Sequence, residues 1–268
     1  MCKTRKNIVI IGSGKVASAL SKAFSEKEEL KLLQLVSRNR ETGNALAKER
    51  KCGYTSSFEE IVPADYYIIA VSDNAVKEVS QAIAPYIRNG IVCHTSGSVP
   101  LDILDNRIQK RGVFYPLQSF SQGVTVDFQK VPLLIEGNTP ETEAKLHELA
   151  RIISPHVSSV TSEKREKVHL AAVFINNFTN HLFTLGSRIM EEAHLPFGYL
   201  KPLLQNTFEK ITQNESSPET LQTGPAARND METIERHRRL LQEYPDLLKV
   251  YDAMTDSIIQ NRQPYKTK

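Results

Sequence analysis

A short glycine-containing turn near the amino terminus constrains this chain more than any other feature. Residues 8–11 are all β-branched, and they are followed by Gly12, Gly14 and Ala17 in the pattern G-x-G-x-x-A and then by a helix-forming run. Gly12 permits a tight turn, Gly14 keeps the backbone open to a pyrophosphate, and Ala17 lets the helix lie close to the strand. The turn therefore predicts a dinucleotide site with contacts from Gly12, Ser13, Gly14, Lys15, Val16 and Ala17.

The pattern of this turn has two other interpretations. A strand-to-helix turn that binds nothing is the open alternative. A phosphate-binding loop of the nucleoside triphosphatase kind is excluded, because that motif requires G-x-x-x-x-G-K-[S/T] and Lys15 is followed by Val16.

The residues after the second predicted strand indicate which dinucleotide binds. An NAD site has Asp or Glu there, to accept hydrogen bonds from the ribose 2′-hydroxyl. This chain has Ser37, Arg38 and Asn39 instead, and hydroxyl and guanidinium groups suit a 2′-phosphate. NADP is therefore the predicted cofactor, with a solvated basic turn as the alternative.

Strand-like and helix-like runs alternate up to about residue 160, which is typical of a doubly wound α/β sheet. The predicted strands are 8–11, 31–36, 66–71, 91–94, 113–115 and 132–135, apolar on both faces as parallel strands are. The predicted helices between them are 16–25, 41–50, 75–87, 101–109 and 140–153. Longer helix-periodic segments follow at 163–194, 197–214, 230–242 and 245–261. We predict an NADP-binding domain over residues 1–161 and an all-helical substrate and dimerisation domain over residues 162–268.

Composition narrows the function classes. The 268 residues are 40% hydrophobic and 24% charged, with a net charge of +3 and both signs interspersed, which argues against a nucleic-acid partner. The three cysteines, Cys2, Cys52 and Cys93, form no C-x-x-C pair, so neither a disulfide framework nor a thiolate metal site is expected. No apolar run near the amino terminus is long enough for a signal peptide or a membrane span. We predict a cytoplasmic protein without a metal.

Small and polar residues follow the later predicted strands, where ligands of open α/β sheets bind. An N-cap role for Asp73 and a core position for His94 are the alternatives to ligand contact. The predicted further cofactor contacts are Val71, Ser72, Asp73, Thr95 and Ser96, and the predicted substrate contacts here are His94, Tyr115 and Gln118.

The chain resembles Rossmann-like NADP oxidoreductases with a helical carboxyl-terminal domain of unknown function, distant relatives of pyrroline-5-carboxylate reductase and the β-hydroxyacid dehydrogenases. The resemblance covers nearly the whole chain and rests on the glycine turn and on AVSDNAV, HTSGS, YPLQSF, HLAAVFINNF and TGPAARND. It implies a Rossmann sheet followed by a helical domain like that of 6-phosphogluconate dehydrogenase relatives, an NADP cofactor and a homodimer formed through the helical domain. The family commonly has His where this chain has Tyr115, which puts a proton-transfer role for that position in doubt.

The resemblance also directs attention to the first helix of the helical domain, where β-hydroxyacid dehydrogenases present a Lys and an Asn to the nicotinamide. The corresponding segment here carries His169, Asn176 and Asn177. At about 100° per residue, positions 169, 173, 176 and 180 of one helix share a stripe, and Asn177 lies about 80° round from it. We predict His169 as the acid or base, with Lys167 or Lys164 as alternatives.

The remaining site predictions concern orientation of the substrate. Asn177 and Ser96 are predicted to orient the substrate or the cofactor amide, and Asn176 to contact the substrate. Arg228 is predicted to hold a substrate carboxylate, with an ordinary surface ion pair as the alternative, and His237 to join either role.

These residues predict a reductase in which NADPH supplies a hydride to a small oxo or imino compound and the protein supplies a proton. The rival hypothesis is a dinucleotide-binding sensor or interaction protein without turnover. It is favoured by Tyr115 in place of His and by the absence of the familiar catalytic Lys from its usual helix position.

Overall fold

The structure, a computed structural model, describes residues 5–121, 123–213 and 217–261. The chain divides into two compact units, Met1–Phe178 and Thr179–Lys268. The first contains the sheet and its covering helices, and the second is helical. The predicted domain boundary after residue 161 rests on the change of sequence periodicity and stays a prediction.

Eight strands form one sheet in the order β3-β2-β1-β4-β5-β6-β7-β8. From β3 to β6 this is the order of doubly wound dinucleotide-binding sheets, with the topological switch point between β1 and β4. The predicted doubly wound fold is thus confirmed. The strands are β1 (Lys6–Ile11), β2 (Leu30–Val36), β3 (Gly53–Thr55), β4 (Tyr66–Ile69), β5 (Ile91–His94), β6 (Arg111–Pro116), β7 (Leu133–Gly137) and β8 (Val157–Ser159).

Ten α-helices are found among the described residues. They are α1 (Lys15–Ser25), α2 (Arg40–Arg50), α3 (Val76–Ile83), α4 (Pro140–Ile153), α5 (Ser162–Ala172), α6 (Thr179–Glu192), α7 (Lys201–Gln213), α8 (Pro225–Arg228), α9 (Met231–Leu240) and α10 (Pro245–Gln260). The predicted segment 197–214 corresponds to a short 3-10 turn and α7, and its last residue, 214, lies outside the described residues.

The core lies on both faces of the sheet, as the apolar strands predict. In β1, Ile8 and Ile10 belong to one buried cluster, whereas Val9 and Ile11 belong to another on the opposite face. Successive side chains of a strand point to opposite faces, so a strand covered on both sides must be apolar throughout.

The structure of the sheet unit differs from the sequence predictions in three places. Strand β7 runs antiparallel to β6, although all strands were expected to be parallel. The three-residue strands β3 and β8 were not predicted, because they are too short to show a periodic pattern. Residues 101–109 were expected to form a helix, but only Leu101–Ile103 does so, as a single 3-10 turn. Beyond this turn the Asp105 carboxylate accepts a hydrogen bond from the Arg107 backbone N–H, a local contact of the kind that competes with helix formation.

The predicted helix 163–194 is interrupted by a π-helical segment, Val173–Phe178, which lies between α5 and α6. A π-helix has more residues per turn than an α-helix, so the uniform 100° spacing assumed for residues 169, 173, 176 and 180 does not hold. Such interruptions are often found at functional sites.

The helical second unit buries few side chains of its own. Among its described residues the buried ones are Leu185, Ala226, Ile234, Leu247 and Thr255. No helix in the described part of the chain is both long and apolar enough to pass through a lipid bilayer.

Candidate active site

A cleft of about 480 Å³ opens where β1, β2 and β4 end. Nine residues predicted to contact the cofactor line it: Gly12, Ser13, Gly14, Lys15, Val16, Ser37, Arg38, Val71 and Ser72. Phe58 and Phe120 also line the cleft, and neither was among the predicted contacts. Phe120 ends the YPLQSF motif, so that motif was the available signal, whereas nothing in the sequence around Phe58 indicated a role.

Glycine occupies the two positions of the turn for different structural reasons. Gly12 has φ +125°, and a Cβ there would collide with the backbone carbonyl of Ala70. A Cβ on Gly14 would meet no atom within 4 Å, so the space beside it is open. Gly14 is also the N-cap of α1, without a side-chain cap and without an acidic residue in the first helical turn. The free N–H groups at this helix end suit an anionic pyrophosphate, and Ala17 is fully buried against the sheet.

Hydroxyl groups converge at the end of the cleft where the 2′-phosphate is predicted. Ser13 Oγ lies 2.8 Å from Ser37 Oγ and 2.8 Å from Thr42 Oγ1. The Asn39 side chain caps α2 by accepting a hydrogen bond from the Thr42 backbone N–H. Arg38 is exposed and lines the same cleft. These donors fit a dinucleotide with a phosphate on its ribose, so the residues present suit NADP.

The loop after β5 is ordered by its own hydrogen bonds. The buried His94 side chain accepts a hydrogen bond at Nδ1 from the Ser96 backbone N–H, at 3.2 Å. Ser96 Oγ accepts from the backbone N–H groups of Ser98 and Val99. Ser98 Oγ donates to Asp73 Oδ2 at 2.7 Å, which ties the loop after β4 to the loop after β5.

A tyrosine–histidine pair stands beside this loop. Tyr115 Oη lies 3.1 Å from His169 Nδ1, and the two rings meet edge to face. Gly97 lies directly against them: a Cβ there would be 2.6 Å from His169 Nδ1 and 2.7 Å from Tyr115 Cζ. The structure thus brings together three residues that the sequence placed in separate motifs, and only glycine at position 97 allows the pair to approach the loop.

A buried ion pair anchors the helix that carries His169. Arg165, one turn before His169 on α5, is 1% exposed and pairs with Glu136 at the end of β7. Its guanidinium also donates to the Val99 carbonyl oxygen at 2.6 Å. Glu136 accepts hydrogen bonds from the backbone N–H and the hydroxyl of Ser162, at the start of α5. Residues 165 and 169 share a helix face, so this anchor holds His169 toward Tyr115.

Burial changes the acid–base properties of two side chains here. It lowers the pKa of His94 to about 4, with a smaller contribution from the positive charge of Arg165. Burial also raises the pKa of Tyr115, and the negative charge of Asp73 raises it further while Arg165 opposes both. His94 is therefore neutral and structural at pH 7, and Tyr115 is a protonated phenol that is able to donate a hydrogen bond.

Four more predicted site residues belong to the same unit, namely Thr95, Gln118, Asn176 and Asn177. Thr95 is buried and hydrogen-bonds to the Ile69 carbonyl oxygen through its backbone N–H and its hydroxyl. Gln118 is exposed and folds back onto the Ser119 backbone N–H. Asn176 and Asn177 are exposed within the π-helical segment.

Two predicted substrate residues belong to the second unit. Arg228 is exposed at the end of α8, and the His237 ring bonds to Tyr251 Oη at 3.0 Å. Asp230 caps α9 by accepting a hydrogen bond from the Thr233 backbone N–H.

Comparisons with known proteins agree with this architecture. Residues 7–95 match the family model described as NADP oxidoreductase, coenzyme F420-dependent, and residues 131–258 match a domain of unknown function, DUF2520. A Bacteroides fragilis protein described as a "putative NADP oxidoreductase" is 36% identical, with 96% of this chain and 99% of that chain covered and a TM-score of 0.89. The chain therefore belongs to this family of NADP oxidoreductases with a DUF2520 domain.

More distant structures share the fold. An imine reductase from Myxococcus stipitatus in complex with NADP⁺ is 16% identical over 95% of this chain and 93% of that chain, with a TM-score of 0.66. A pyrroline carboxylate reductase from Plasmodium falciparum with NADP bound is 11% identical over 97% of this chain and 100% of that chain, with a TM-score of 0.61. A comparison with the curated proteins found no match.

Proposed function

We propose that this NADP oxidoreductase reduces a small oxo or imino compound and that Tyr115 and His169 deliver the proton. The observation that carries the proposal is the 3.1 Å contact between Tyr115 Oη and His169 Nδ1 beside Gly97. This contact lies at the carboxyl ends of β5 and β6, where ligands of such sheets bind. NADPH, when bound, supplies the hydride.

The pair accounts for the proton that the reduced compound gains. Tyr115 Oη donates its proton to the oxygen or nitrogen of the substrate, and His169 Nδ1–H replaces it. His169 is half-buried, so its ring can exchange protons with solvent, whereas the Tyr115 side chain is almost completely buried. The Arg165–Glu136 ion pair keeps the histidine at this distance.

Removal of either member of the pair tests the proposal. NADPH oxidation is followed at 340 nm with keto acids, aldehydes and cyclic imines, together with the Kd for NADPH. Both His169→Ala and Tyr115→Phe are expected to lower kcat by about 100-fold or more, since proton transfer contributes roughly that much, and to leave NADPH binding unchanged. His156→Ala, at an exposed histidine in the same unit, is the control. Tight NADPH binding without oxidation of any compound would support the sensor hypothesis instead.

Cofactor choice is tested separately by titration with NADPH and NADH. Ser37 and Arg38 line the cleft where the extra phosphate is proposed to bind. Arg38→Ala is expected to weaken NADPH binding by about tenfold and NADH binding hardly at all, because only NADPH has the 2′-phosphate. Equal affinities of the unchanged protein for both nucleotides would contradict the preference.

We also propose that the protein is a cytoplasmic homodimer. The described cysteines, Cys52 and Cys93, are free, which is usual in a reducing compartment. Large apolar side chains are exposed in both units, including Ile175 at 75% and Leu203 at 61%. We propose that a second copy of the chain buries these side chains in a dimer interface.

Sedimentation measurements test the dimer. Ile175→Glu and Leu203→Glu are each expected to shift the protein toward monomer, because a charge would be buried in the contact. Val124→Glu, at an exposed apolar residue outside the helices, is the matched control and is expected to leave the mass of the sedimenting species unchanged. A wild-type protein that sediments as a monomer at all concentrations would contradict the proposal.

A further inference from the structure

We propose that Asp73 makes the substrate site selective for compounds whose reacting group carries a positive charge, such as a protonated imine, over ketones and oxo acids. This inference rests on the proposed function, because it concerns the substrate of the same site. Val71 and Ser72 line the cofactor cleft. The next residue, Asp73, faces the loop after β5, where its Oδ2 accepts a hydrogen bond from Ser98 Oγ at 2.7 Å.

That loop connects the carboxylate with the proton-transfer pair. Ser98 holds Asp73, and Ser96 Oγ accepts a hydrogen bond from the Ser98 backbone N–H at 3.2 Å. Gly97, between them, lies against both Tyr115 and His169. Three consecutive residues therefore contact the carboxylate at one end and the pair in the middle, which places a negative charge near the proposed proton-transfer pair.

Asp73 is exposed, and no cation pairs with its carboxylate among the described residues. Within residues 5–121, 123–213 and 217–261, Asp73 forms no ion pair, whereas Arg165 is paired with Glu136. The field of Asp73 reaches the Tyr115 phenol, where it favours the protonated form against the opposing charge of Arg165. A positively charged group at the same place is stabilised for the same reason, and an anionic group is repelled.

The chemistry of a protonated imine suits this arrangement. Hydride from NADPH forms the new C–H bond at the imine carbon, and the electron pair of the C=N⁺ bond becomes the lone pair of the amine nitrogen. NADPH is oxidised to NADP⁺ and the imine is reduced to an amine. An imine that arrives neutral first takes a proton from Tyr115 Oη. An oxo acid would instead bring a carboxylate toward Asp73 and develop further negative charge on its oxygen.

Charge-matched probes test the inference. Oxidation of NADPH is measured with 2-methyl-1-pyrroline, cyclohexanone and pyruvate. Binding to the protein–NADP⁺ complex is measured by calorimetry with pyrrolidine, which is cationic at pH 7, tetrahydrofuran, which is neutral, and propanoate, which is anionic. Asp73→Asn removes the charge, and Asp73→Glu retains it. Asp102→Asn is the control, because Asp102 is an exposed acid outside the bonded loops.

Asp73→Asn is expected to lower kcat/KM for 2-methyl-1-pyrroline and affinity for pyrrolidine by about tenfold or more, while cyclohexanone and tetrahydrofuran change less than about twofold. Asp73→Glu is expected to restore most of the cation preference, and Asp102→Asn to change nothing. Equal losses for charged and neutral probes, or a loss of NADPH affinity alone, would overturn the inference and make Asp73 a cofactor residue. Wild-type protein that fails to bind NADPH would overturn the proposed function itself.

Discussion

The two units of the molecule differ in how completely they bury their own apolar side chains. In the sheet unit both faces of β1 are covered, and large side chains such as Phe24, Tyr67 and Phe114 are almost inaccessible to solvent. The helical unit buries only four apolar residues among those described and exposes many others. Full burial of one such side chain stabilises a fold by about 1.5–3 kcal/mol. The sheet unit therefore contains its own core, whereas the helical unit depends on further contacts.

Substitution of the turn glycines is the strongest test of the idea that the sheet unit is complete in itself. Gly12→Val is expected to prevent folding of this unit, at a cost above about 4 kcal/mol, since a β-branched residue at φ +125° would collide with Ala70.

Gly14→Asp is expected to retain the melting temperature of the wild type, because Gly14 is an N-cap with open space around it and Asp is a favourable N-cap. NADPH binding should nevertheless be lost, because the carboxylate would repel the pyrophosphate. Circular dichroism and nucleotide titration check both, and a melted Gly14→Asp variant would show that this position serves packing.

The same contrast explains what could be predicted from the sequence. Strand 91–94 and helix 140–153 agree with the structure at both ends, because each is a buried or amphipathic run bounded by turn and capping residues. The all-helical character of the second unit was also predicted, from the helix periodicity of its segments, and the structure confirms it. The π-helical interruption at Val173–Phe178 was not foreseen, since α and π turns differ by the placement of a single residue.

In the site, the sequence identified residue types but not their partners. Tyr115 and His169 were chosen separately, and their contact joins positions 54 residues apart. The Arg165–Glu136 pair was missed entirely, because a charged residue on a helix ordinarily indicates an exposed face and nothing local marks this one as buried. Such contacts depend on the sheet order, which brings β5, β6 and α5 together only in the folded protein.

Loss of a buried ion pair is expected to cost more than loss of an exposed one, and each unit offers an example. Arg165→Met leaves Glu136 without its partner in a buried setting, so unfolding in urea should show a loss of about 3–5 kcal/mol. Arg238→Met removes the contacts with Glu235 and Asp252 in the helical unit, where solvent screens the charges, so a much smaller loss is expected. Equal losses of unfolding free energy in the two variants would contradict the view that only the sheet unit has an interior that excludes water.

The pH dependence of stability is predicted to be a smaller effect than the loss of the Arg165–Glu136 pair, and it tests the same interior through one side chain. The pKa of His94 is lowered to about 4 in the folded protein by burial, whereas the unfolded chain has an ordinary histidine near pH 6.5. Between these values the unfolded state binds the extra proton, so stability falls as the pH drops below about 6.5 and the loss is complete near pH 4. Between pH 7 and pH 5 the contribution is about 2 kcal/mol. His94→Asn retains an acceptor for the Ser96 backbone N–H but has no proton to gain, so its unfolding free energy should fall by about 2 kcal/mol less than that of the wild type over this range. Parallel pH profiles for the two proteins in urea unfolding would mean that water reaches the His94 ring.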